Sequence, residues 1–209
     1  MNPPEWYKIN EITFENYVKC CKSLYSIIEK LNTNTGTEDI FLKTIVLSSA
    51  ETSLEDWYKN EKQRHYYQAL SMKMGDFHEE LAGKFPGWET LKVGHKSGCD
   101  VMKSDETEFM EWKNRDNTMN SSSAKTVIQK LSKLHQEGKK VFLVFVNVSK
   151  RTIPRFGAPD YINIINGHKA YEYLSGRKSF YQDLLKTLSF TFREFKTYQD
   201  LVSILHASR

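Results

Sequence analysis

Six consecutive apolar residues, Val141–Val146, form the longest such run in the chain, and Val148 extends it after a single asparagine. A strand with one wet face alternates apolar and polar side chains, so an unbroken run implies cover on both faces. The segment predicts a strand in the middle of a sheet with helices on either side. The flanking sequence can supply those helices. Before the run, Ala124, Val127, Ile128, Leu131 and Leu134 recur at helical steps up to Gly138. After it, Tyr161–Ile165 reads as a further strand and Lys169–Leu188 as helices.

The first third is helical in pattern. Phe14, Tyr17, Val18, Cys21, Leu24, Tyr25, Ile28 and Leu31 share one face, and the polar stretch Asn32–Thr37 ends it. A second helix is expected over Asp39–Ala50. A third starts at an N-capping Ser53 and runs, with a break near Gly75, to Phe85 before Pro86-Gly87. Three short strands follow: Glu89–Val93, Cys99–Lys103 and Glu108–Lys113, the last two a hairpin about Ser104-Asp105-Glu106. The expected fold class is therefore α/β. Its core runs helix, three strands, helix, strand, with a mixed central sheet flanked by helices. Residues 1–52 form an N-terminal helical extension and 53–209 the core with C-terminal helices.

Composition narrows the class further. At 209 residues, 39% hydrophobic and 27% charged, the chain suits one soluble core and argues against long disorder. No stretch approaches the ~18–20 apolar residues that cross a bilayer, and Met-Asn-Pro-Pro-Glu-Trp lacks the pattern of a secretory signal. Cys20, Cys21 and Cys99 have neither zinc spacing nor a disulfide framework, which suits a reducing cytoplasm. A net charge of +4 permits a nucleic-acid partner without requiring one.

The chemistry concentrates in the hairpin. With Glu111 on a strand, Glu111 and Lys113 point to one face while Met110 and Trp112 point to the other. The turn brings Asp100 alongside Glu111. Two carboxylates on adjacent strands make a hard-oxygen site for Mg²⁺, with the Lys113 ammonium beside them to orient or deprotonate a water and neutralise a phosphate. Such a set is what hydrolysis of a nucleic-acid backbone needs. Spacing alone does not single it out: Glu137-Gly-Lys139 and Glu194-Phe-Lys196 share the pattern, the second with Asp183 equally far before it. Only Glu111-Trp-Lys113 has a strand bearing an aspartate before it and a helix plus a buried strand after it.

In this context the arrangement resembles the PD-(D/E)XK nuclease core of type II restriction endonucleases. The resemblance assigns the family's Asp, Glu and Lys to Asp100, Glu111 and Lys113, and the backbone carbonyl of Trp112 as a further metal ligand. Cys99 stands where the family name has proline. An acidic residue of the first core helix often joins such sites; Glu79 and Glu80 are the candidates, and helix geometry favours Glu80. Met74-Gly-Asp-Phe-His-Glu-Glu, the stretch Glu111–Ser123, and Asn166-Gly-His-Lys-Ala-Tyr-Glu-Tyr-Leu-Ser-Gly look like a subgroup of small restriction enzymes, some of which cut at GGNCC. The likeness covers about Leu54–Leu188.

Two loops offer DNA contacts. Asn114, Arg115, Asn117, Asn120, Ser121 and Ser122 follow the active strand, where Asn and Arg suit base edges and Ser suits phosphates; a solvated connection with a capped helix is the alternative. Lys150, Arg151 and Arg155 follow the buried strand, where base reading, phosphate clamping or a plain solvated loop all fit. His78 reads as a packed core histidine. Cutting both strands of a duplex needs two centres, so one centre per chain implies a homodimer on double-stranded DNA. The expectation is a Mg²⁺-dependent, site-specific double-strand DNA endonuclease that, as the resemblance implies, leaves 5′-phosphate ends. The alternatives are a structure-selective or repair nuclease of the same fold and a DNA- or partner-binding protein that does not cut.

Overall fold

The computed structural model describes residues 3–30, 38–50, 52–92, 94–115, 119–148 and 153–207. Its elements are α1 (Phe14–Ile28), α2 (Ile40–Ser49), α3 (Leu54–Ala82), β1 (Trp88–Thr90), β2 (Val101–Lys103), β3 (Glu108–Arg115), α4 (Ser121–Gln136), β4 (Lys140–Asn147), β5 (Asn163–Asn166), α5 (Gly167–Ser175), α6 (Phe180–Glu194) and α7 (Tyr198–Ala207).

The five strands form one sheet in the order β1-β2-β3-β4-β5. The first three are antiparallel, whereas β4 and β5 each join in parallel. A parallel join needs a crossover, and α4 provides it between β3 and β4. This is the mixed, helix-flanked sheet expected, with β4 buried from Val141 to Val146.

Alternate residues of β4 serve two cores. Phe142, Val144 and Val146 pack with α1, α3, α5, α6 and α7, in a cluster that also takes Met110 and Trp112 of β3. Val141, Leu143 and Phe145 pack on α4 with Phe109. By strand alternation Glu111 shares the α4 side with Phe109. The side chains of α1 from Phe14 to Tyr25 belong to the larger cluster, so this helix is built into the layer that covers the sheet. In contrast, α2 buries none of its residues, and Ile40, Phe41 and Ile45 stand exposed.

Local signals set most helix starts. Thr13, Asp39, Ser53, Asn120 and Asn166 each accept a backbone N–H from the first turn of their helix. Some boundaries differ from expectation. The expected break at Gly75 is absent and α3 runs unbroken for 29 residues. A single glycine costs a helix only about 1 kcal/mol, less than the packing of Phe77, His78 and Leu81 supplies. Asn120 caps α4, and the serines after it lie inside the first turn of the helix. The terminal helix α7 was not anticipated; Leu201 anchors it in the core.

Two contacts tie α3 to the sheet. The Thr90 hydroxyl of β1 donates to the Glu79 carbonyl at 3.2 Å, and Gly83 lets the strand lie against the helix end. A Cβ on Gly83 would stand 2.1 Å from Thr90 Oγ1 and 2.2 Å from its backbone nitrogen. His78 is buried, and its Nδ1 shares a 2.7 Å hydrogen bond with the Tyr171 hydroxyl.

Gly83→Ala is expected to destabilise the fold by about 2 kcal/mol or more in urea titration, because backbone rather than a flexible side chain must yield. A second expectation concerns acid. Burial holds the His78 pKa down at about 4, against 6.5 when free, so the imidazole is neutral in the fold. Its contribution is complete above about pH 6.5 and is lost as pH falls toward 4. At about 1.4 kcal/mol per pH unit, that amounts to roughly 3 kcal/mol. Urea midpoints at pH 7 and pH 4.5 should differ by less in His78→Gln than in the wild type.

Candidate active site

The hairpin register builds the site. Val101 pairs with Met110 and Met102 with Phe109, which carries Asp100, one residue ahead of β2, to the level of Glu111. Backbone bonds hold it there: Asp100 N–H donates to Met110 at 3.2 Å, and its carbonyl accepts from Leu91 at 2.8 Å. Its side chain closes the loop, since Asp100 Oδ2 accepts the Trp112 N–H at 2.7 Å. That aspartate is fixed before any ligand arrives.

Glu111 is only 4% exposed. Lys113 Nζ lies 2.7 Å from Glu111 Oε1 and 3.9 Å from Asp100 Oδ2, and it donates to the Trp112 carbonyl at 3.0 Å. The indole of Trp112 meanwhile lies in the core beside His78 and Tyr171. The strand thus separates a structural face from a chemical one. Asp100, Glu111, Lys113 and the Trp112 carbonyl are brought together.

The cluster is crowded with negative charge. Burial, then the neighbouring charge of Glu111, push the Asp100 carboxyl up to about 6 against the pull of Lys113. Burial would lower the Lys113 pKa, but Glu111 and Asp100 outweigh it and hold it above the usual lysine value. Lys113 is therefore an ammonium in this environment. From α3, Glu79 joins the group: burial and then Asp100 push its carboxyl up to about 7, with Lys113 opposing. The favoured Glu80 faces elsewhere. Its carboxyl is raised by burial and interacts with Lys84, Asp76 and Lys73.

Among the described residues, no group of three or more His, Cys, Asp or Glu side chains stands close enough to hold a metal by itself. The oxygen donors here are two carboxylates and a backbone carbonyl. That small, hard set fits an ion such as Mg²⁺, which binds one or two carboxylates and keeps several waters.

An open cleft leads to these groups between α3 and the end of β3. It is lined by Tyr67, Gln68, Ser71, Met72, Glu79, Lys113, Asn114 and Arg115. The other expected contact residues are placed less uniformly. Asn114 Nδ2 donates to the Ser71 carbonyl at 2.8 Å, and Asn114 accepts from Asn147, so its side chain locks β3 to α3 and β4. Asn120 caps α4 through its Oδ1, 2.8 Å from Ser123 N. Ser121 and Ser122 are exposed in the first turn of that helix. Arg155 folds onto its own loop, against Asp160 and the Pro159 carbonyl. Asn117, Lys150 and Arg151 lie outside the described residues.

One residue of the cluster was not anticipated. Lys130 of α4 reaches Glu111 Oε2 at 2.6 Å. Its signal in the sequence was a charge set between Val127 and Leu134 on an otherwise apolar stripe.

The chain is similar to known proteins over most of its length. The type II restriction enzyme Sau96I of Staphylococcus aureus is 26% identical over 199 residues, covering 83% of this chain and 75% of that enzyme. A model of the Eco47II restriction endonuclease family matches residues 6–197. The match spans both cores and every element from α1 to α6, so the chain belongs to the Eco47II restriction endonuclease family, type II enzymes that cut DNA at specific sites.

Proposed function

We propose that this endonuclease cuts double-stranded DNA with Mg²⁺ at the centre formed by Asp100, Glu111 and Lys113, leaving 5′-phosphate ends. The observation that carries the reading is the Lys113 ammonium held 2.7 Å from Glu111 and 3.9 Å from Asp100. Type II restriction endonucleases use divalent metal ions, and the hard-oxygen donors here favour Mg²⁺. Asp100, Glu111 and the Trp112 carbonyl would hold the ion. When bound, it would supply Lewis acidity toward the phosphodiester and lower the pKa of a bound water.

The chain's own groups do the rest. Burial of Glu111 and the Trp112 N–H bond to Asp100 keep both carboxylates oriented, so little reorganisation is needed at reaction. As an ammonium, Lys113 donates hydrogen bonds and keeps its proton. It orients the attacking water and neutralises charge on the scissile phosphate. Glu79 adds a carboxyl that titrates near neutrality at the edge of the cluster. Arg115 on the cleft wall and the exposed Ser121 and Ser122 are suited to phosphate or base contacts.

Each chain carries one such centre, whereas a duplex has two strands, so the working form is a homodimer on a two-fold site. The exposed apolar side chains of α2 support that reading, being surface a second copy can cover. The resemblance to enzymes that cut at GGNCC makes that sequence the first to test. Buried, unpaired Cys20, Cys21 and Cys99 suit a reducing cytoplasm. Among the described residues, no helix is long and apolar enough to cross a membrane.

Digestion of a phage genome with Mg²⁺ should give discrete bands, absent with EDTA. Asp100→Ala, Glu111→Ala and Lys113→Ala should each slow cleavage by on the order of 10³-fold or more, while DNA binding is retained. A smear would indicate a non-specific or structure-selective nuclease. Intact DNA with both Mg²⁺ and Mn²⁺ would indicate a protein that binds without cutting. The cluster also sets a pH dependence. Protons compete with the metal where Asp100 and Glu79 titrate, at about 6 and about 7. The Mg²⁺ concentration for half-maximal cleavage should therefore be several-fold higher at pH 6 than at pH 8.

A further inference from the structure

Glu111 has a second cationic partner that the reaction scheme does not use. Lys130 extends from α4 across the chemical face of the sheet. Its Nζ donates to Glu111 Oε2 at 2.6 Å and to the Gly98 carbonyl at 2.5 Å. The side chain of Lys130 is about one-fifth exposed and that of Glu111 one-twentieth. This is not a surface ion pair, of the kind that contributes little.

The route of the side chain is itself built. A Cβ on Gly98 would stand 3.0 Å from Lys130 Cδ, so the lysine stem crosses the glycine closely enough that a methyl group would push it aside by a few tenths of an ångström. Gly98 also has a φ of +65°, in the left-handed region that favours glycine. Two separate demands thus meet at one residue. Gly98 lies two positions before Asp100, and Glu111 lies on the next strand. One ammonium therefore bonds to both segments that carry the carboxylates.

The two lysines divide the Glu111 carboxylate. Lys113 takes Oε1 and Lys130 takes Oε2. Lys113 shares its position with Asp100 and the Trp112 carbonyl, where metal and substrate would gather. Lys130 approaches from the helix behind. When Lys113 turns to a water or a phosphate, Lys130 is the partner that stays. We infer that Lys130 is a positioning residue of the DNA-cleaving centre, holding Glu111 by Oε2 and the Gly98–Asp100 segment by its backbone so that the carboxylate pair keeps its spacing for a divalent cation.

This inference rests on the reading of Asp100, Glu111 and Lys113 as the nuclease centre. The test compares full-length wild type with Lys130→Met, which keeps the stem and removes the ammonium, with Lys130→Arg and with Gly98→Ala. Three properties are read: the Mg²⁺ concentration for half-maximal cleavage of phage DNA, Mn²⁺ affinity without DNA by electron paramagnetic resonance, and the melting curve. Partners behind metal ligands typically govern affinity or activity by about 10- to 100-fold. Lys130→Met should raise both the Mg²⁺ requirement and the Mn²⁺ dissociation constant within that range. Lys130→Arg should recover part of the loss, and Gly98→Ala should shift both in the same direction by displacing the stem. A folded Lys130→Met enzyme with the wild-type Mg²⁺ requirement would overturn the inference. So would a lowered melting temperature with an unshifted requirement, which would mark a purely structural ion pair. Undiminished cleavage by Asp100→Ala would overturn the underlying site, and this inference with it.

Discussion

A carboxylate buried among the apolar side chains at the centre of a strand is the constraint on which this structure turns. Burying an ionised group without partners is expensive, by far more than a single apolar contact returns. Glu111 is nonetheless 4% exposed, between Met110 and Trp112 and beside β4. Two ammonium groups reach it, from its own strand and from α4. The crossover helix is thereby both a cover for the sheet and part of the site.

The same strand separates two tasks by alternation. Met110 and Trp112 fill the larger core, and Trp112 meets His78 of α3 and Tyr171 of α5. Glu111 and Lys113 face the other way. Packing of the indole therefore fixes the strand's height and roll, and the chemical groups inherit that precision. The Trp112 amide and carbonyl add to it, one bonded to Asp100 and the other to Lys113. A single residue anchors the core with its side chain and the site with its backbone. Through Thr90 and Gly83, β1 in turn holds the end of α3, and with it Glu79, against the sheet.

Charge in the site is arranged rather than neutralised. Asp100 and Glu79 titrate well above ordinary carboxylates because they are buried near one another and near Glu111. Two lysines offset part of that repulsion, Lys113 beside Asp100 and Glu111, and Lys130 on the second oxygen of Glu111. The polar residues around the cleft are less free than their type suggests. Asn114 and Asn120 are spent on holding β3 and starting α4. Arg115 lines the cleft, and Ser121 and Ser122 stand exposed in the first turn of α4.

Much of this was legible along the chain because it depends on local spacing. The apolar run at Val141–Val146 marked a strand buried on both faces, and strand periodicity put Glu111 and Lys113 on the face opposite Trp112. The capping side chain at Ser53 marked a helix start through a bond three residues long. What failed depended on distant partners. Gly75 did not break α3, because tertiary packing outweighs a propensity cost of about 1 kcal/mol. The choice between Glu79 and Glu80 turns on about 100° of helix rotation, which only the docking of α3 on the sheet decides. Lys130 lies 19 residues from Glu111, and no periodicity links a helix face to a strand face across a crossover. The sequence by itself determined which residues could do the chemistry and on which strand face they stand. The tertiary structure decided which second helix completes the site, because burying Glu111 demands a cation that only the packed α4 brings within reach.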